Sequence, residues 1–337
     1  MSHATRRRLA TLAIAASCAA AAACGTSENT AQPAASSARI TAAYALPSDR
    51  AYPEGIAADP RTGDTYVGSY STGAVYKATP GSKQAETFLP EGADGRKTAN
   101  GLKVDRTGRL WVTDSTAGVA VYDTASRALI ARFDAPGPAA RFVNDVAITP
   151  DGTAYLTDSV RGVVYRITAA EVAHVAAHGG RADMTTQFDL NPVLAPRAPG
   201  GFTLNGIVTD AGGRYLFVVD MDAGELFRIA LAPNAADPIR KVALHGGNLA
   251  HGDGLEWHDN TLWVVQNTDN AIARWTMTDD GATATLDQRV TDAALSIPTT
   301  LVRTGNQLLV VASQFDKGGP MGPGTPQPFA VLAVDGI

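Results

Sequence analysis

Apolar and polar residues alternate along most of this chain in short runs with a period of two. In "GLKVDRTGRLWVTDSTAGVAVYD", starting at Gly101, the runs are rich in Val, Trp and Tyr and are separated by polar pairs such as "TG". β-Branched and aromatic residues at alternate positions, bounded by Gly- and Asp-containing turns, predict short antiparallel strands. The same pattern recurs as "GIAADPRTGDTYVGSYSTGAVYKA" from 55, "DVAITPDGTAYLTDSVRGVVYRI" from 145, "GIVTDAGGRYLFVVDMDAGELFRI" from 206 and "GLEWHDNTLWVVQNTDNAIARW" from 254. A degenerate sixth copy, "TLVRTGNQLLVVASQFD", starts at 300, and successive starts differ by 46, 44, 61, 48 and 46 residues. Three or four strands per repeat, at a nearly fixed period, predict an all-β, six-bladed β-propeller over residues 43–337. A β-sandwich would supply the strands without the period.

The long 61-residue interval holds "TAAEVAHVAAHGG". Thr168 and Glu171 have capping-box spacing ahead of an Ala-rich run that glycines end, which predicts a short helical insertion near residues 168–178. His174 and His178 stand i, i+4, a metal-binding spacing, but no third ligand lies nearby in sequence and the pair reads as a solvated face.

Composition sharpens the picture at the N-terminus. Arg6, Arg7 and Arg8 precede an apolar run that ends at Ala23, and polar sequence follows Cys24. Residues 1–23 read as a signal peptide, too short for a membrane-spanning helix. The small residues before Cys24 resemble a bacterial lipobox, which makes Cys24 the expected lipidation site and a membrane anchor on the extracytoplasmic face of the cell. Residues 24–42, largely Ala, Ser, Thr, Gln and Pro, read as a flexible tether. Removal of the three arginines with the signal takes the formal charge from -5 to -8, and no basic face for nucleic acid remains. With Cys24 the single cysteine after cleavage, packing and metal rather than disulfides must hold the fold. We expect a monomer.

Alignment of the repeats makes one position comparative. The residue before each first strand is Glu54, Asn100, Asn144, Asn205, Asp253 and Thr299. All six carry side-chain oxygen, and inner strands line a propeller's channel, so these residues are expected to converge on the axis. Two carboxylates with amide carbonyls form a hard-oxygen set suited to calcium. Asn-Gly and Asp-Gly also serve as turn pairs, yet Glu is not a turn former, and Glu54 precedes a strand that reads as buried.

The ordered set "EG" at 54, "ND" at 144, "NG" before "YLFVVD" and "DGLEW…LWVV" resembles the gluconolactonase and senescence marker protein family of six-bladed propellers. More distantly, the chain is similar to diisopropyl fluorophosphatase and the paraoxonases. The resemblance spans roughly residues 50–316. It implies one central divalent cation, most commonly calcium, held by Glu54, Asn205 and Asp253. Asn144 binds the metal or faces substrate, and Asn100 lines the channel beside it. Arg141, three residues before Asn144 where the family often has Arg two before, is the candidate substrate contact. Asp253 is the candidate base for water attacking an ester or lactone carbonyl; His251, two residues before it, reads as a rim histidine ahead of the alternative of a secondary base. Arg141, Phe142, Phe202, Met221, Trp257 and Gln314 are candidate pocket walls, and the loop 316–328 is expected at the mouth. No G-x-S-x-G motif competes. The expected function is metal-dependent hydrolysis of lactones or related esters of small-molecule size. The alternative is a non-catalytic propeller lipoprotein that binds a ligand or another protein.

Overall fold

The computed structural model describes residues 38–337. The expected signal peptide, Cys24 and the expected tether as far as residue 37 lie outside the described residues. The remainder forms six mainly antiparallel sheets arranged as blades. Their innermost strands are Pro53–Ala58, Leu102–Val104, Val143–Ile148, Leu204–Thr209, Gly252–His258 and Pro298–Thr304. Each touches the next in chain order, and the sixth returns to the first, so the expected six-bladed propeller closes.

Period-two alternation gives every blade two apolar faces, and these are buried between blades. Each of the six hydrophobic clusters joins one neighbouring pair. Tyr66 and Phe88 of the first blade meet Leu110 and Tyr122 of the second, while Phe217 of the fourth packs with Leu262 and Trp275 of the fifth. No single central core exists to compete with the channel for side chains, so the axis is left to polar residues.

The sixth blade corrects the tether boundary. Its outermost strand is Arg39–Ala45, which pairs antiparallel with the C-terminal strand Ala330–Asp335. The propeller therefore begins at Arg39, and residues 39–42 of the expected tether are strand. An edge strand with one covered face carries little apolar periodicity; its main-chain ladder and the Tyr44 Oη to Thr65 Oγ1 hydrogen bond at 2.8 Å fix it instead. The first described strand and the C-terminal strand thus close the ring together.

The predicted helix is Ala169–Ala177 and has the full capping box between Thr168 and Glu171. Val172 and Val175 bury it against the second and third blades. The chain then enters Arg181–Asp183, which pairs parallel with Leu129–Asp134 and adds a fifth strand to the second blade. His174 and His178 stack at 4.3 Å, and His178 Nδ1 contacts the His174 carbonyl, with no third metal-ligating side chain beside them among the described residues.

Candidate functional site

The ring positions owe their direction to a repeated irregularity. In five blades the register between the innermost and second strands slips at the same place: between Pro53 and Ile56, Val143 and Val146, Leu204 and Ile207, Gly252 and Leu255, and Pro298 and Leu301. A β-bulge leaves residues outside the ladder and re-aims their side chains. The bulged pairs are Glu54–Gly55, Asn144–Asp145, Asn205–Gly206, Asp253–Gly254 and Thr299–Thr300. In the second blade the ladder starts only at Leu102, and Asn100 precedes it.

The glycine after the ring residue serves blade packing rather than a turn. A Cβ on Gly55 would lie 2.0 Å from the Asn100 carbonyl oxygen, and one on Gly206 would lie 2.2 Å from that of Asp253. Ring-residue carbonyls are tied sideways: Thr113 Oγ1 donates to Asn144 O at 2.6 Å, Thr157 Oγ1 to Asn205 O at 2.7 Å and Thr299 Oγ1 to Glu54 O at 2.7 Å. Thr299 is thereby spent on latching the sixth blade to the first. The third blade has Asp145 in place of the glycine. Its carboxylate accepts from Val146 N at 2.8 Å and Ile207 N at 3.1 Å, bridging to the fourth blade.

All five remaining ring residues are buried, Glu54 at 6% and Asp253 at 5% exposure. Burial pushes the Glu54 carboxyl well above its ordinary value, and the nearby charges of Asp253 and Asp145 push it further. The Asn100 amide opposes this rise, although neither of its polar atoms completes a hydrogen bond of ordinary geometry. Asp253 is raised to about 7, first by burial and then by Asp145, against the amides of Asn267 and Asn205. Among the described residues Glu54 Oε2, both Asn100 amide atoms and Asn144 Oδ1 have no hydrogen-bond partner. Buried polar atoms are almost always satisfied, so this concentration at one spot calls for a missing partner.

In the third, fourth and fifth blades the residue after the second strand orients the ring residue from behind. Ser159 Oγ accepts from Asn144 Nδ2 at 3.0 Å, which leaves Asn144 Oδ1 free. Met221 Sδ accepts from Asn205 Nδ2 at 3.3 Å, and Asn267 Nδ2 donates to Asp253 Oδ2 at 2.9 Å. In the first blade this position is Tyr70, whose hydroxyl is shifted upward by burial and by the charge of Glu54. These partners share one alignment column, so the repeat register could have found them.

Free carboxylate and amide oxygens are the donors a hard divalent cation takes, and a cation would offset the burial of two carboxylates. No cluster of three or more His, Cys, Asp or Glu side chains suited to a metal occurs among the described residues. Amide oxygens must therefore complete any set, since both Asp145 oxygens are engaged by backbone amides.

Several expected pocket residues fall elsewhere. Arg141 donates to the carbonyls of Ala135 at 3.1 Å and Gly137 at 2.7 Å, pinning its own loop rather than a ring residue. Trp257 stacks on Phe217 at 4.7 Å toward the other end of the channel. Gln314 clasps the backbone of Gln327 through bonds of 3.0 and 2.8 Å, closing the 316–328 loop. His251 sits at the rim with φ 58°, its Nδ1 2.7 Å from Asp269 Oδ1, and Arg289 donates to the other Asp269 oxygen at 2.6 Å. Phe142 and Phe202 do meet on the ring side, 4.7 Å apart. They extend into a belt through Tyr70, 6.4 Å from Phe142, and Phe315, 5.3 Å from Tyr70. The contacts of Tyr70 with Phe142 and Phe315 have no repeat signal, because they form only across blades. A cavity of about 640 Å³ lies at the opposite mouth.

No family model and no curated protein matches the chain. Solved structures do resemble it. A gluconolactonase from Xanthomonas campestris superposes with a TM-score of 0.59 at 16% identity, over 88% of this chain and 89% of that one. A PQQ-bound aldose sugar dehydrogenase from Streptomyces coelicolor gives 0.58 at 14%, over 89% and 98%. Virginiamycin B lyase from Staphylococcus aureus gives 0.55 at 13%, over 89% and 100%. At these identities the likeness is one of fold, and it places this chain among the β-propellers, with six blades of its own.

Proposed function

We propose that the axial ring binds a divalent cation, calcium by its oxygen donors, and that the protein hydrolyses lactones or related esters. Lipidation at Cys24 would hold it on the extracytoplasmic face of the cell membrane. The observation that carries this reading is the buried meeting of Glu54 and Asp253 beside the unpartnered oxygens of Asn100 and Asn144. Glu54, Asn144, Asn205 and Asp253 would hold the ion, with Asn100 lining the approach.

A bound cation supplies polarisation of a carbonyl and stabilisation of the oxyanion. The protein's own part is the handling of the proton. Asn267 holds Asp253 Oδ2 in place, which leaves Oδ1 to accept a proton from attacking water. Burial raises Asp253 to about 7 in the metal-free chain; beside a bound cation that value falls, and the carboxylate stays ionised as the acceptor near neutral pH. The aromatic belt of Tyr70, Phe142, Phe202 and Phe315 offers an apolar wall, and Arg141 is occupied with its own loop. These features favour substrates with an apolar acyl or leaving group over polyhydroxylated sugars. The fold likeness to a gluconolactonase accords with the reaction class.

The test is metal analysis of the purified protein together with a lactone and ester panel, with and without chelator. Loss of turnover on chelation and recovery with calcium support the proposal. Full lactonase activity in metal-free protein, or stoichiometric metal with no turnover across the panel, removes the catalytic reading; the second result leaves a binding module.

A further inference from the structure

Three residues beyond each ring residue lies a second set of inner-strand positions, whose apolar members pack between blades. In blade order this second layer is Ala57, Lys103, Ala147, Val208, Glu256 and Val302. Four members are apolar and buried. The other two come from the second and fifth blades, three apart in a ring of six and so on opposite sides of the axis. Lys103 Nζ and Glu256 Oε2 stand 3.9 Å apart, with side chains 23% and 17% exposed. That separation is beyond an ordinary hydrogen bond, so the two charges attract without closing a bond; Glu256 also accepts from the Arg303 backbone amide, and Lys103 also faces the Asp145 carboxylate.

This stretched pair lines the cavity at the mouth opposite the ring, about 640 Å³ in volume. Pro60, Ile148, Val208 and Trp257 give it apolar walls. Trp257 is held nearly parallel to Phe217, at 8° between planes, which fixes a flat surface on one side. The volume is in the range of small-molecule sites; Asp105, Asp151 and Asp210 also line it, each bonded within its own loop.

We propose that this cavity is a second ligand site, distinct from the ring, for a small zwitterion of the α-amino-acid class with an apolar side chain. The ligand carboxylate meets the Lys103 ammonium, its ammonium meets the Glu256 carboxylate, and its side chain lies on Trp257. A simple anion would face Glu256 with like charge, and a simple cation would face Lys103. Only a ligand carrying both charges satisfies both groups together. No bond is made or broken.

The experiment is calorimetric titration of the whole protein, with calcium present, using L-leucine, L-methionine and L-phenylalanine. L-leucine is compared with 4-methylpentanoate, which lacks the amine, and 3-methylbutylamine, which lacks the carboxylate. At least one amino acid is expected to bind, and either analogue of L-leucine is expected to bind roughly tenfold to hundredfold more weakly, the worth of one charge-assisted contact. Lys103→Met and Glu256→Gln are expected to lose a similar factor. The analogue series uses unaltered protein, so its outcome does not depend on either variant folding. Absence of binding by all three amino acids, or equal binding of L-leucine and its single-charge analogues, overturns the proposal.

Discussion

Glu54 is buried at the propeller axis, and beyond that burial the Asp253 carboxylate raises its pKa further, although the whole sixth blade stands between their two blades around the ring. Two buried acids held this close without a cation destabilise the folded chain, and that sets a pH dependence. Their folded-state values are raised, Asp253 to about 7, against an unfolded carboxyl near ~4. The folded state therefore holds protons that the unfolded state has released. Stability of the calcium-free protein is present below about pH 4 and is lost as pH rises through about 7. Melting in chelator at pH 5 and pH 8 is expected to show the lower melting temperature at pH 8, with calcium restoring it most at pH 8. Equal melting temperatures with no calcium effect contradict this.

Replacement of Asp253 with Asn keeps the shape and removes the charge and the proton acceptor. Turnover is expected to fall by about 10² to 10⁴, the usual worth of a positioned base. Loss of the cation in the same variant deepens the fall, and metal content measured beside kcat separates the two effects. In chelator at pH 8 the variant is expected to melt above the parent chain, because one of two repelling carboxylates is gone. A variant that melts below the parent would argue against buried like-charge repulsion.

Phe202 is 43% exposed yet packs edge-on against Phe142 at 4.7 Å. Phe202→Ala is expected to cost little stability and to raise KM for apolar lactones by roughly tenfold, about 1 to 1.5 kcal/mol of aromatic contact. KM for a sugar lactone should hardly move. Parallel kinetics on the two substrate classes check this, and equal changes in both would place the belt away from the substrate.

Gly206 lies so close to Asp253 O that an added Cβ would sit 2.2 Å from it. Gly206→Ala wedges the fourth and fifth blades apart at the ring and is expected to destabilise by about 1 to 3 kcal/mol. Calcium affinity should fall with it, measured by titration on protein that remains folded at the working temperature.

Much of this architecture is legible in the repeat. Counting from Gly101, Asp145, Gly206 and Gly254 aligns the blades, and the aligned preceding residues are the buried ring. The capping box at Thr168 likewise announces its helix. What escapes sequence reading has physical causes. The strand Arg39–Ala45 is held by its main chain at a sheet edge, so its side chains carry little signal. A bulge adds one residue and inverts the alternation beyond it, so Glu256 meets Lys103 while Trp257 stacks on Phe217. Arg141 satisfies carbonyls of its own loop, a local choice that charge alone does not forecast. The meeting of Tyr70 with Phe142 and Phe315 joins three blades and has no local signature.

The most direct test of the account is equilibrium titration of calcium into chelator-treated protein at pH 8. One ion per chain is the predicted result, with binding lost in Glu54→Gln and in Asp253→Asn. No stoichiometric binding, or binding that both variants retain, would contradict it.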